Sequence, residues 1–320
     1  MAADGANGRV LSSAAAAARE AFAGTPPVPG GAKPEPILTV DHMERHFGGI
    51  FAVDVDHVEV QRGSITALIG PNGAGKTTFF NLLTGFDTPN RGAWQFDDRD
   101  MSGVPPYKAA QLGMVRTFQL TKSLTKLPVI ENMKLGATGQ RGEKWWNALI
   151  PALWRQEERE IEARAEELLE RFSLAHMRDE YAGALSGGQR KLLEMARALM
   201  TRPTLVMLDE PMAGVNPALK QSLNDHIRGL RDEGMTVLFV EHDMDMVHDV
   251  SDWVIVMAQG RVIAEGTPDQ ISSNDDVIDA YLGDHQGKSL LEDDDFVEAL
   301  STIEAEVEAE AEADGTETER

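Results

Sequence analysis

The run Gly70-Pro71-Asn72-Gly73-Ala74-Gly75-Lys76-Thr77 fits G-x-x-x-x-G-K-[ST] at every defined position. Its chemistry is phosphate binding. Glycines let the backbone curl until successive N–H groups point at phosphate oxygens, and the N-terminus of a following helix adds favourable potential. Lys76 supplies a point charge for β- and γ-phosphates and Thr77 a hydroxyl for Mg²⁺, with Thr78 counted beside them as a nucleotide-binding position. A matching acidic element closes Leu205-Val206-Met207-Leu208-Asp209-Glu210. An apolar strand ending in a carboxylate delivers that carboxylate to a sheet edge, where Asp209 can hold Mg²⁺. Glu210 is then placed to polarise an attacking water, its plainer reading being a helix-cap acid. His242 follows the apolar run 236–240 and could reach a γ-phosphate from a third strand end, or serve as a capping or core residue. Together these residues describe a site for a nucleoside triphosphate and Mg²⁺.

Such groups need strands that end side by side. Apolar, β-branched runs predict strands over 37–40, 58–60, 65–69, 205–208, 236–240 and 253–257. Several are apolar throughout, as expected for strands covered on both faces. Helical patterns fall at 76–83, 156–172, 188–200, 217–233 and 243–250. Strand then helix, repeated, predicts an α/β fold with a largely parallel central sheet. The stretch from about 120 to 190 breaks that rhythm and reads as an inserted helical subdomain. Residues 1–36, rich in Ala, Gly and Pro, read as a disordered arm with at most one nascent helix. A secretion signal is disfavoured there because Arg19 and Glu20 interrupt the apolar stretch. Residues 284–320 read as an acidic, solvated tail, with Glu304, Glu306, Glu308, Glu310 and Glu312 spaced two apart. Everything that looks folded lies in 37–283.

Composition sets outer limits. The 320 residues carry 30 Lys+Arg against 53 Asp+Glu, a formal charge of -23. That balance argues against a nucleic-acid partner, which calls for a basic face. The tail from Glu292 to Arg320 holds 13 acidic groups and one Arg, so it supplies about half of the excess. With no cysteine, disulfides, thiolate metal sites and thiol nucleophiles are all excluded. No window approaches the ~20 apolar residues of a membrane-spanning helix.

Leu185-Ser186-Gly187-Gly188-Gln189 narrows the reading. It resembles the signature motif of ATP-binding cassette (ABC) ATPases, and the resemblance extends over about residues 37–283. The fold implied is a P-loop NTPase ABC cassette with a RecA-like core, an antiparallel β subdomain and an inserted helical subdomain. The resemblance further implies that Ser186, Gly187, Gly188 and Gln189 close on ATP held by a second cassette, two cassettes packing head to tail. Gln119, in Arg116-Thr117-Phe118-Gln119, matches the Q-loop glutamine that touches Mg²⁺. Phe47 matches the aromatic that stacks on adenine, although strand-end core is its alternative. His242, in Glu241-His242-Asp243, matches the switch histidine.

Narrower features are similar to the cassettes of branched-chain amino-acid importers. They are Thr84-Gly85-Phe86, Val129-Ile130-Glu131-Asn132, the run from Glu210 to Pro217, and the ending that includes Ala280-Tyr281-Leu282-Gly283. In the loop after Glu210, Asn216 stands where most cassettes carry Asp, which puts in doubt any role there for a negative charge. This resemblance implies an ATP-hydrolysing importer subunit working with Mg²⁺. It further implies a second cassette subunit, a paralogue rather than a copy, two transmembrane permease subunits and an extracytoplasmic substrate-binding protein. Its place would be the cytoplasmic face of the cell membrane. Alternatives are a cassette for an amide, urea or another amino acid, an exporter cassette, and a soluble cassette acting on ribosomes or in DNA repair. Trp145, Trp146 and Trp154 lie in a basic, apolar insert that reads either as subdomain core or as a surface touching membrane or permease.

Overall fold

The strands that must carry the chemistry form one six-stranded sheet. It is assembled from β3 (Ile65–Ile69), β6 (Met114–Arg116), β7 (Leu205–Asp209), β8 (Thr236–Val240), β9 (Trp253–Ala258) and β10 (Arg261–Gly266). Their order is β10-β9-β3-β8-β7-β6, with every pairing parallel except the antiparallel hairpin β9–β10. The computed structural model describes residues 12–117, 125–138 and 154–284. Alternation within the apolar runs explains the burial. Ile65, Ala67 and Ile69 join one core with Val206, Leu208, Val237 and Phe239, while Leu68 joins a second with Leu205, Met207, Leu238 and Val240. Both faces are therefore dry, which is why these strands lack a polar side.

The second core is closed by β1 (Pro36–Phe47), β2 (Ile50–Gln61), β4 (Arg91–Phe96) and β5 (Arg99–Asp100), an antiparallel sheet ordered β2-β1-β4-β5. Phe79 and Phe80 of α2 (Lys76–Leu83) fill the space between the two sheets, and α3 (Pro106–Gln111) follows on the same side. The first core is covered by helices: α4 (Val129–Lys134), α5 (Arg155–Arg171), α6 (Gly187–Ala198), α7 (Pro217–Asp232) and α8 (Met244–Val250). The chain ends its described part with α9 (Pro268–Ser272) and α10 (Asp275–Asp284). Trp145 and Trp146 lie outside the described residues, whereas Trp154 is the N-cap of α5.

The arm departs from expectation. Residues 12–36 are packed against the body instead of lying free, and α1 (Ser13–Phe22) is a formed helix capped by Ser12. Phe22 stacks on Trp253 with ring centroids 4.7 Å apart, and Ala15 and Ala18 are buried beside it. Downstream, Lys33 and Glu265 form a fully buried pair at 2.8 Å. Glu265 also accepts from the Gly30 amide and from Trp253 Nε1, so its charge is fully partnered. Burying Phe22 contributes about 1.5–3 kcal/mol toward the ordering cost of this Gly/Pro-rich segment, beside the buried Lys33–Glu265 pair and its hydrogen bonds. Residues 1–11 and 285–320 lie outside the described part.

Candidate functional site

Three neighbouring strand ends meet at one edge of the parallel sheet. Leu68 of β3 is in register with Val240 of β8, and Val240 with Asp209 of β7. The next residues along each chain are Ile69-Gly70, Glu241-His242 and Glu210. The parallel pairing thus brings the phosphate-loop motif, the predicted histidine and the predicted acids together, although Gly70 and His242 are 172 positions apart.

The loop from Gly70 to Gly75 is held by backbone contacts that require glycine. A Cβ on Gly70 (φ +146°) would lie 2.0 Å from the Met257 carbonyl oxygen, and one on Gly75 (φ +100°) 2.2 Å from that of Ala52. Gly73 also has positive φ, at +79°, while Pro71 and Asn72 form the outer turn and Ala74 packs inward, its side chain buried. Gly75 is the N-cap of α2 and makes no side-chain cap bond. A helix head with no side-chain cap suits an anion held in the loop. Lys76 Nζ folds back to the carbonyls of Gly70 at 2.5 Å and Pro71 at 3.0 Å, which holds the ammonium inside the curl. Thr77 is exposed at the head of the helix, with Thr78 behind it.

On β7, Asp209 accepts from Arg116 Nη2 at 2.6 Å, a pair whose side chains are only 10% and 7% exposed. Arg116, at the end of β6, also donates to Asn81 Oδ1 of α2. A guanidinium therefore supplies the positive charge beside Asp209. The donor set of one buried carboxylate and one helix-head hydroxyl suits a hard cation such as Mg²⁺. Glu210 follows with φ +47°, a left-handed conformation uncommon for a residue with a side chain. Its amide donates to the Val240 carbonyl, and its carboxylate lies 3.1 Å from His242 Nε2. The two predicted hydrolytic groups thus touch. Lys191 of α6 reaches the Glu210 carbonyl at 3.4 Å, linking this turn to the helix that follows the signature motif.

Ser186 and Gln189 form a capping box at the head of α6. Ser186 Oγ accepts from the Gln189 amide at 3.2 Å, and Gln189 Oε1 accepts from the Ser186 amide at 2.9 Å. Gly187 is exposed and open, whereas a Cβ on Gly188 would meet Leu219 Cδ2 of α7 at 2.1 Å. Asn216 caps α7 through Oδ1 to the Leu219 amide at 2.9 Å. Asparagine does this as well as aspartate, so the exchange leaves the local structure intact. Phe47 is 53% exposed at the tip of the β1–β2 hairpin, with the Arg45 guanidinium 4.5 Å above its ring. It is therefore surface and not strand-end core. Gln119 lies outside the described residues.

Three residues of this edge escaped the sequence reading. Arg116 and Glu241 stand beside recognised motif residues, and their types alone announce no role. Tyr281 of α10 packs against the first core with its hydroxyl facing the Gly70 amide, and burial pushes the phenol up to about 12. Only a buried aromatic in a C-terminal helical pattern could have pointed to it.

Comparison with known proteins agrees with this geometry. The ABC transporter family model matches residues 53–213, and that of the branched-chain amino acid ATP-binding cassette transporter matches residues 261–286. The high-affinity branched-chain amino acid transport ATP-binding protein BraF of Pseudomonas aeruginosa is 42% identical over 252 residues, covering 78% of this chain and 98% of its own. The corresponding LivG protein of Escherichia coli is 40% identical over 252 residues, covering 78% and 99%. Among solved structures, an ATP-binding cassette of an ABC transporter in its ADP conformation superposes with a TM-score of 0.69 at 37% identity, covering 78% and 99% of the two chains. A nucleotide-free ATP-binding cassette gives 0.68 at 36% identity, covering 77% and 98%. The chain belongs to the ATP-binding cassettes of ABC transporters and is an ATPase subunit of the branched-chain amino acid type.

Proposed function

We propose that this chain hydrolyses ATP to drive uptake of branched-chain or closely related amino acids through separate permease subunits. One observation carries the hydrolytic half of that reading. Three adjacent strand ends converge, so that Lys76, Glu210 and His242 share one edge, with Glu210 and His242 3.1 Å apart. The substrate class rests on the branched-chain family match at residues 261–286 and on relatives named for that transport.

Each residue then has a task. The amides of 70–77 and the Lys76 ammonium hold the phosphates, while Phe47, already exposed, offers its ring to adenine. Thr77 and Asp209 would hold Mg²⁺, and Gln119, matched by the cassette resemblance, would join them. When bound, the ion neutralises charge on the β- and γ-phosphate oxygens. Glu210 accepts the proton of the attacking water, and His242, hydrogen-bonded to it, orients that carboxylate toward the γ-phosphate. Hydrolysis is thus mainly positioning and charge neutralisation. Ser186, Gly187, Gly188 and Gln189 serve the nucleotide of a second cassette, and Asn216 lies along the same face. Two permease subunits and an extracytoplasmic binding protein complete the assembly, placing this chain at the cytoplasmic membrane face.

The test is reconstitution with the permeases and binding protein, with ATPase activity followed as leucine, isoleucine, valine, urea or an amide is added. Branched-chain amino acids should stimulate turnover and the others should not. Stimulation by urea or amides alone would overturn the substrate assignment. In the same system Glu210→Gln should keep MgATP affinity and lower turnover by a factor on the order of 10²–10⁴. Turnover near the parent value would remove Glu210 from its role.

A further inference from the structure

Glu241 is a buried carboxylate that the hydrolytic scheme does not use. It follows β8 immediately and is 4% exposed. Oε1 accepts from the Met212 amide at 2.7 Å, and Oε2 accepts from the amide of its own neighbour His242 at 3.1 Å. The Asp243 amide also faces it. Burial raises its pKa, and the Asp243 charge adds to that, while these amides oppose it. Lys220, which also feels the Glu241 charge, is paired with Asp243 at 2.6 Å. A carboxylate in such a place is costly unless it does something that an apolar residue cannot.

What it does is visible in the backbone. Met212 lies two residues after Glu210, whose left-handed φ of +47° turns the chain sharply out of β7. That turn is fastened to β8 first by the Glu210 amide on the Val240 carbonyl. Glu241 adds the second fastening, and on its other oxygen it holds the amide of the residue that meets Glu210. One carboxylate thus bridges the main chain just beyond the proposed general base and the main chain of its histidine partner. We propose that Glu241 is a positioning residue for ATP hydrolysis, its buried carboxylate setting the spacing of Glu210 and His242 through the amides of Met212 and His242. The inference rests on the reading of Glu210 and His242 as the hydrolytic pair.

Glu241→Gln tests it in the full chain assembled with its permeases. The substitution keeps the volume but turns an NH₂ group toward one of the two amides, so one fastening is lost. Misplacement by a fraction of an ångström costs rate and not ground-state binding. Turnover should fall roughly 10- to 100-fold, with KM and MgATP affinity within about twofold of the parent. Hydrogen exchange at the Met212 amide should accelerate at least about tenfold. In a Glu210→Gln background the same change should add little further loss, since both act on one step. Where Glu241→Gln does not fold, Glu241→Asp carries the test, its shorter arm being unable to reach both amides. If Glu210→Gln is disabled while Glu241→Gln turns over within twofold of the parent, this inference fails and the hydrolytic pair stands. If Glu210→Gln itself turns over normally, the pair fails. Equal losses of affinity, melting temperature and turnover in Glu241→Gln would make the carboxylate structural only.

Discussion

Two helix heads in this molecule carry glycine-rich motifs, and they are built in opposite ways. At the head of α2 the glycines are imposed by backbone: the Met257 and Ala52 carbonyls crowd Gly70 and Gly75, and no side chain caps the helix. This head suits a bound anion, and the Lys76 ammonium already sits within the curl. At the head of α6 the reciprocal bonds of Ser186 and Gln189 satisfy the amides of those two residues from within the chain. Gly188 is imposed there by a packing side chain, Leu219, and not by the curl of a loop. The cradle is thus organised to receive this chain's own nucleotide. In the proposed assembly the signature head, capped in part from within the chain, serves the nucleotide of a neighbouring cassette.

Gly70→Ala should break the contrast from the cradle side and have the largest effect. The new methyl cannot coexist with the Met257 carbonyl, and φ +146° is strained for any side chain. MgATP affinity by calorimetry should fall roughly 100-fold or more, about 3 kcal/mol. Retained affinity would mean that the loop is plastic. Gly188→Ala strikes a Leu219 side-chain methyl and not backbone, so it should destabilise by about 1–3 kcal/mol without changing MgATP affinity of the isolated chain. Adding Leu219→Ala should relieve part of that cost, and a purely additive double mutant would show that the contact is not its source. Ser186→Ala should be smallest, about 0.5–2 kcal/mol of thermal stability for the lost cap with nucleotide binding unchanged.

The cradle and the three strand ends were legible because their information is local. An apolar run followed at once by a glycine, a carboxylate or a histidine identifies a strand and what it delivers, and β3 and β8 end where their runs end. Parallel pairing then puts the ends side by side. What escaped depends on partners far along the chain. Lys33 and Glu265 are 232 positions apart, and neither residue type announces burial. The arm therefore reads as solvated although Phe22, Lys33 and Trp253 fasten it. Strands β4 and β10 do not read as apolar runs, because β4 alternates exposed Arg91, Ala93 and Gln95 with small or aromatic neighbours while β10 buries Ala264, Glu265 and Gly266. Glu241 reads as a surface acid until its two amides are seen, and Arg116 as an ordinary basic residue until Asp209 is beside it.

The division of labour between the two helix heads is tested most directly by measuring MgATP affinity and turnover side by side in Ser186→Arg. The account predicts that the isolated chain binds MgATP within about twofold of the parent, while turnover in the assembled transporter falls roughly 100-fold or more. Parallel loss of both, or undiminished turnover, would contradict it.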